Sequence, residues 1–301
     1  MEEKIFYILG TDEDDLDHQA LFNELEKLGR KGERIHPHDV TTKFTESGTS
    51  FFVNGKEIYP AAVLGWVYED LLIPGMYILE ALERSGIPVI NSANTLFCGQ
   101  NKYLNSEALH RNHIPHVPVF CGYGFKDVES FSSDWSFPLV LKPIVGAGGK
   151  SVVKVDTMEE LERLVEELAG SQEYYYIQPY INKPSRDIRV TCVNYKAVHA
   201  IYRSSTNNWI TNLGLGGKAE MIELTPELAE IAERASRSLN AMISGVDIVE
   251  DIDNECYRVI EVNTCPNFEL KSLFEDPDTS AEEALAEFMI EYSGKNTSMH
   301  V

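Results

Sequence analysis

Residues 137–155 read as strand, glycine loop, strand (FPLVLKPIVGAGGKSVVKV), and no other stretch narrows the choice of fold as much. Leu139, Val140, Leu141 and Val145 suit a buried strand. A lysine among them, Lys142, is costly to bury without an anionic partner, and a phosphate is the expected one. The loop Gly146-Ala147-Gly148-Gly149-Lys150-Ser151 is followed by the β-branched run Val152, Val153, Val155. It is therefore expected at the tip of a hairpin, which argues against a P-loop or Rossmann fingerprint, since both need a helix after the glycines. A glycine-tipped hairpin can fold over phosphates and donate backbone N–H groups to them.

A chain of 301 residues, 43% hydrophobic and 25% charged, is long enough for two or three small globular domains. No apolar run approaches the roughly 20 residues of a membrane span, and the start MEEKIFYILG lacks the basic end and cleavage site of a signal peptide, so a cytoplasmic protein is expected. Five widely spaced cysteines without a Cys-x-x-Cys pair read as reduced core residues. The net charge of -22 disfavours nucleic acid and anionic membranes as partners, because both are repelled at long range. Solvation in a salty cytoplasm or attraction of a basic partner would account for it.

Along the chain, 4–10 is a strand and 16–29 a helix closed by glycine, a βα unit; 34–40 is the next expected strand. Residues 51–58 contain Asn54-Gly55, the strongest short hairpin signal, and 61–67 is another apolar run. A helix to Ser85 and a buried strand 87–90 complete a small open parallel sheet. Helices over 92–99 and 101–113 bridge to a strand at 117–121, with Lys102 near the start of the second helix. His110, His113 and His116 are spaced by three, but Pro115 ends the helix between the last two, and they are expected to face solvent. An amphipathic helix 158–169, strands at 174–180, 186–194 and 197–204, a helix 226–240, strands 245–250 and 257–263 and a last helix 281–292 follow.

Glu261 and Asn263 stand two apart in a strand and so share a face. If the preceding hairpin turns about residues 253–255, Asp247 faces Glu261 across the ladder, and two carboxylates that close call for a cation. Hard oxygen donors without cysteine or histidine suit magnesium, with manganese as an alternative, held jointly with nucleotide phosphates.

With both strands in place, the chain resembles the ATP-grasp superfamily, and within it the RimK-type glutamate ligases and LysX-type lysine-biosynthesis ligases. The resemblance spans roughly residues 90–292. It implies an α/β chain of α+β sandwiches: an N-terminal open parallel sheet domain over 1–95, a central domain with the glycine hairpin over 96–180, and a C-terminal ATP-grasp domain with the metal site over 181–301. It implies that Lys102 (GQNKYLN) and Lys142 (VLKPIVGAGG) contact phosphates, that Gln178, Pro179, Tyr180 and Ile181 line the adenine, and that Asp187 (RDIRV) lies at the ribose or a nearby part of the nucleotide. Arg189 and Arg203 are similar to arginines that hold the transferred phosphoryl and a substrate carboxylate, Asn212 matches the polar stretch before the long helix, and Asp247, Glu261 and Asn263 match the magnesium ligands. Two departures stand near the expected acceptor site: Ile210, where many RimK-like chains have arginine, and Cys265-Pro266-Asn267-Phe268, where they have a small Ser-Pro-Gly turn.

The chemistry implied is ATP phosphorylation of a carboxylate followed by amine attack on the acyl phosphate, adding an amino acid such as glutamate to a small cofactor or a peptide tail. The expected partners are ATP, a carboxylate acceptor and an amino acid, and self-association is left open. A LysX-like ligase acting on a carrier-protein glutamate and a non-catalytic, ATP-binding regulatory protein are the alternatives.

Overall fold

The structure is a computed structural model and describes residues 4–128, 130, 135–145, 151–205, 218–268 and 280–296. A parallel sheet of β1 (Ile5–Gly10), β2 (Gly32–Ile35), β6 (Pro60–Trp66) and β7 (Val89–Ile90), in the order β2-β1-β6-β7, opens the chain. Every residue of β6 is buried, as a strand covered on both faces requires. Leu79 and Leu82 of the Leu72–Arg84 helix cover one face. Leu21 and Leu25 of the Asp15–Lys27 helix, with Leu285 and Met289 of the Ala281–Asn296 helix, cover the other.

The expected strand over 34–40 is two elements instead. β2 stops at Ile35, and Pro37, with no N–H for a ladder, opens a short 3-10 turn whose His38 N–H donates to His36 Nδ1 (3.1 Å). The chain then enters a separate antiparallel sheet of β3 (Val40–Thr45), β4 (Gly48–Val53) and β5 (Lys56–Ile58). Asn54 and Gly55, at φ 50 and 78, make the tight turn between β4 and β5, where left-handed backbone matches the strand twist.

The central sheet is antiparallel, with β8 (Phe120–Gly122), β9 (Leu139–Pro143), β10 (Val153–Val155) and β11 (Tyr175–Pro179) in the order β10-β9-β11-β8. Val153 pairs antiparallel with Leu141, so β9 and β10, the strands on either side of the glycine stretch, are neighbours in the sheet as expected. Leu161 and Val165 of the Met158–Gly170 helix pack on Leu139, Leu141, Tyr175 and Ile177, leaving Lys142, Tyr176 and Gln178 for the opposite face.

The last sheet runs β14-β13-β12-β15-β16, from β12 (Arg186–Val193), β13 (Lys196–Ser204), β14 (Lys218–Ile222), β15 (Ile243–Asp251) and β16 (Cys256–Asn263). β14 gave no signal in the sequence. Ile231 and Ala235 of the Pro226–Ser238 helix bury Ile188, Val190, Val246 and Ile248. The outer edge of β16 is bonded by residues 115–117: Val117 N–H donates to Val259 O (3.0 Å) and Val259 N–H to Pro115 O (2.8 Å). Buried Asn91, just after β7, donates to Ile243 O (2.8 Å) and Thr264 O (3.0 Å) and accepts from Ile243 N–H (3.2 Å), which ties the first sheet to the last.

All five cysteines are free, but only Cys192 is buried; Cys256, at the start of β16 beside a turn, is exposed, which corrects the expectation of a core position. Among the described residues no helix is long and apolar enough to cross a membrane.

Candidate active site

Strand alternation and register build the first half of the site. Lys142 on β9 pairs with Tyr176 on β11, and Gln178 follows on the same face. Lys142 Nζ donates to Gln178 Oε1 (2.7 Å), and Gln178 Nε2 donates to Tyr176 Oη (2.9 Å). With that lone pair filled, the Tyr176 O–H is free to donate to Ser106 Oγ, 2.7 Å away. Burial pushes the Lys142 ammonium down to about 8; Lys102 adds to the fall, while Glu261 and Asp247 oppose it. Both lysines and both carboxylates therefore share one electrostatic field.

The Lys102–Arg111 helix holds the two sheets in this relation. Asn101 caps it, with Leu104 N–H donating to Asn101 Oδ1 (3.1 Å), and Lys102 N–H donates to Ile144 O (2.9 Å), just past Lys142. One turn on, Asn105 donates to Val262 O (2.9 Å) and accepts from Val262 N–H (3.1 Å), gripping β16 between Glu261 and Asn263. Ser106 beside it reaches Tyr176 on the central sheet.

On the last sheet, register sets Asp187 opposite Arg203, Arg189 opposite Asp247, and Asp247 opposite Glu261. Arg189 grips Asp247 with Nε on Oδ1 and Nη2 on Oδ2 (3.0 Å). Arg203 Nη2 also reaches Asp247 Oδ2 (2.9 Å), and its Nε donates to Asp187 Oδ1 (2.7 Å). Asp187, Arg203 and Asp247 are all buried, so each charge depends on its neighbours. Burial alone would raise the Asp247 carboxyl, yet Arg189 and Arg203 hold it below the usual carboxylate range. Gly245 makes room for this: a Cβ there would sit 2.7 Å from Arg189 Nη1 and 2.8 Å from Pro266 Cβ.

Asp247, Glu261 and Asn263 offer only oxygen, the donor set magnesium prefers. Among the described residues no group of three carboxylate, histidine or cysteine side chains is assembled, and the third donor here is the Asn263 amide, whose Oδ1 accepts from Cys265 N–H (2.9 Å). Asp247 Oδ1 takes one arginine donor and Oδ2 takes two, so Oδ1 keeps a lone-pair direction. The residues present fit a hard cation.

Other expected residues are placed as follows. Gln178 is buried with its side chain spent on Lys142, while Pro179, Tyr180 and Ile181 are partly exposed at the end of β11. Tyr180 N–H donates to Pro138 O (3.1 Å), and Lys154 Nζ lies 4.4 Å over its ring. Asp187, expected at the ribose, is held by Arg203. Ser151 is exposed at φ 61. Gly146, Gly148, Gly149, Lys150 and Asn212 lie outside the described residues. Sequence reasoning missed Asn105, Ser106, Tyr176 and Gly245. The one available signal was Asn105-Ser106 inside a helix, where both residue types are poor formers and need another reason to be there.

The family described as RimK-like ATP-grasp domain matches residues 99–287. The alpha-aminoadipate–LysW ligase LysX of Saccharolobus solfataricus is 36% identical over 191 residues, 62% of this chain and 69% of that protein. A tetrahydromethanopterin:alpha-L-glutamate ligase of Methanococcus maripaludis is 33% identical over 199 residues, 64% of this chain and 66% of that one. In fold, the chain is similar to the ATP-grasp ligase PsnB, solved with a phosphomimetic variant of its minimal precursor, Mg and ADP: TM-score 0.73, 20% identity, covering 97% of this chain and 99% of that one. The sheet that carries Lys142 and the sheet that carries Glu261 both fall within the matched residues, and the chain belongs to the RimK-like ATP-grasp family of amino-acid ligases.

Proposed function

We propose that the chain joins a carboxylate to the amine of an amino acid, using ATP and magnesium. The observation that carries this reading is the Lys102–Arg111 helix, which clamps β16 through Asn105 and the lysine sheet through Ser106, so that Lys142 shares one electrostatic field with Lys102, Glu261 and Asp247.

In the first step a carboxylate oxygen attacks the γ-phosphorus of ATP, the bridge to the β-phosphate breaks, and ADP leaves. In the second the amine attacks the acyl carbon, phosphate leaves with its oxygen, and the amine proton passes to solvent. Bound magnesium would neutralise the phosphates, held by Glu261, Asn263 and Asp247. Lys142 and Lys102 would hold phosphate oxygens in line, and Arg189 and Arg203, forked and always charged, would take the moving phosphoryl and the substrate carboxylate. Pro179 to Ile181, at the end of β11, would line the adenine, and Arg203 with Asn212 would steady the tetrahedral intermediate.

The favoured acceptor is a small cofactor or a peptide tail with few negative charges. The identity to LysX supports a second reading, with a carrier-protein glutamate as the carboxylate. Product analysis tests the reaction: ADP and phosphate are expected only when carboxylate and amino acid are both supplied, with hydroxylamine able to replace the amine. AMP and pyrophosphate would reject it. A screen of cofactor carboxylates, peptide tails and carrier protein, read by mass shift, separates the acceptors.

A further inference from the structure

A cavity of about 560 Å³ opens beside the lysines, between the Lys102 helix, the residues that follow Lys142 and the start of β11. Its walls include Phe97, Tyr103, Ile144, Val145 and Tyr174, with the Glu173 carboxylate at the rim. Tyr103, Val145 and Tyr174 are 48%, 56% and 55% exposed, an unusual concentration of apolar surface for one spot. The wall is braced from behind. The Tyr123 ring lies 5.6 Å from that of Tyr174, and the Tyr123 hydroxyl donates to Ala169 O (2.9 Å) at the end of the Met158–Gly170 helix.

The position of the cavity along β11 says what it would hold. The proposed adenine residues lie at the far end of that strand, and Tyr180 stands six positions on from Tyr174, roughly 20 Å at about 3.3 Å per residue. Lys142 pairs with Tyr176, between the two ends. A nucleotide laid from Tyr180 towards the lysines would therefore bring its terminal phosphate to the mouth of the cavity, whose wall includes Asn101 and Tyr103 on either side of Lys102 and Ile144 just past Lys142. What lies beyond the terminal phosphate is the molecule whose carboxylate is phosphorylated. A volume of this size takes far more than an amino acid, and aromatic walls favour a planar ring. A rim carboxylate favours a ring that carries N–H groups.

We propose that this cavity seats a planar, N–H-bearing ring of the carboxylate substrate and so selects ring-bearing acceptors over aliphatic ones. The proposal rests on the ligase reading for its orientation, but its test needs no turnover. Calorimetry on the full chain, saturated with magnesium and a non-hydrolysable ATP analogue, compares two probes with the same glutamate end: N-(4-aminobenzoyl)-L-glutamate and N-acetyl-L-glutamate. The aromatic probe is expected to bind at least tenfold more tightly. Tyr174→Ala, and separately Tyr103→Ala, both at half-exposed positions, are expected to remove most of that difference while leaving the affinity for the ATP analogue unchanged. Equal binding of the two probes to the parent protein would overturn the proposal, as would a preference that survives both substitutions. Failure of the ligase reading has another signature: the ATP analogue would not bind, or no carboxylate would elicit ADP.

Discussion

Lys142 loses its proton within the range of ordinary buffers, at about 8 instead of 10.5. Below about 8 the folded and unfolded chains both hold this proton, and the burial cost is present in full. Between there and 10.5 the unfolded chain holds a proton that the folded one has shed, so this lysine makes stability rise with pH over that window. A bound phosphate reverses the preference. Calorimetry of the ATP analogue at pH 8.5, in two buffers of different ionisation enthalpy, is expected to show proton uptake in the parent and little in Lys142→Met. The same substitution is expected to weaken ATP far more than adenosine. Glu261→Gln removes one charge from the oxygen set, and turnover is expected to fall by about two orders of magnitude with an unchanged melting curve, read as ADP release across a magnesium titration. The facing of Asp247 and Glu261 was only half legible: the short turn sets Asp251 opposite Cys256 and Ile248 opposite Val259, and a one-residue bulge that no sequence signal announced then shifts the ladder to bring Glu261 opposite Asp247. The grip of Arg189 on Asp247 was not legible, because the two residues are 58 positions apart and nothing local states which strands become neighbours.

Elements position what the residues supply, and two of them can be tested directly. Gly245→Ala would place a Cβ against the Arg189 side chain and Pro266. Because Arg189 must leave Asp247 to relieve this, turnover is expected to drop at least tenfold while stability falls by about 1–3 kcal/mol, the usual penalty of overpacking. Asn105→Ala leaves Val262 N–H and C=O without their partner, and urea unfolding is expected to show a loss of about 2–4 kcal/mol, the penalty for two buried backbone groups. The sequence showed helices and strands well where periodicity ran long, as in 158–169 and 226–240, and the Asn54-Gly55 turn by its chemistry. It was silent on β3 and β14, which are paired edges with mixed side chains, and misled at 34–40, where one proline reroutes the chain between two sheets.

At the scale of the molecule, a net charge of -22 repels itself. Raising potassium chloride from about 0.05 M to 1 M screens that repulsion, and the melting temperature is expected to rise; a fall would mean that the ion pairs outweigh it. The order of the sheets could be expected from family resemblance, whereas the bonds that join them, such as those of Asn91, are between residues 152 and 173 positions apart and leave no trace in any local pattern. The sealed border of β16 has one more consequence. Residues 115–117 and Asn105 occupy the backbone groups by which a visiting peptide could lengthen the sheet. The border of the strand that carries Glu261 and Asn263 is thus closed at Val259 and Val262 by the chain's own segments, which removes from that side the open seam through which sheet proteins stick to one another.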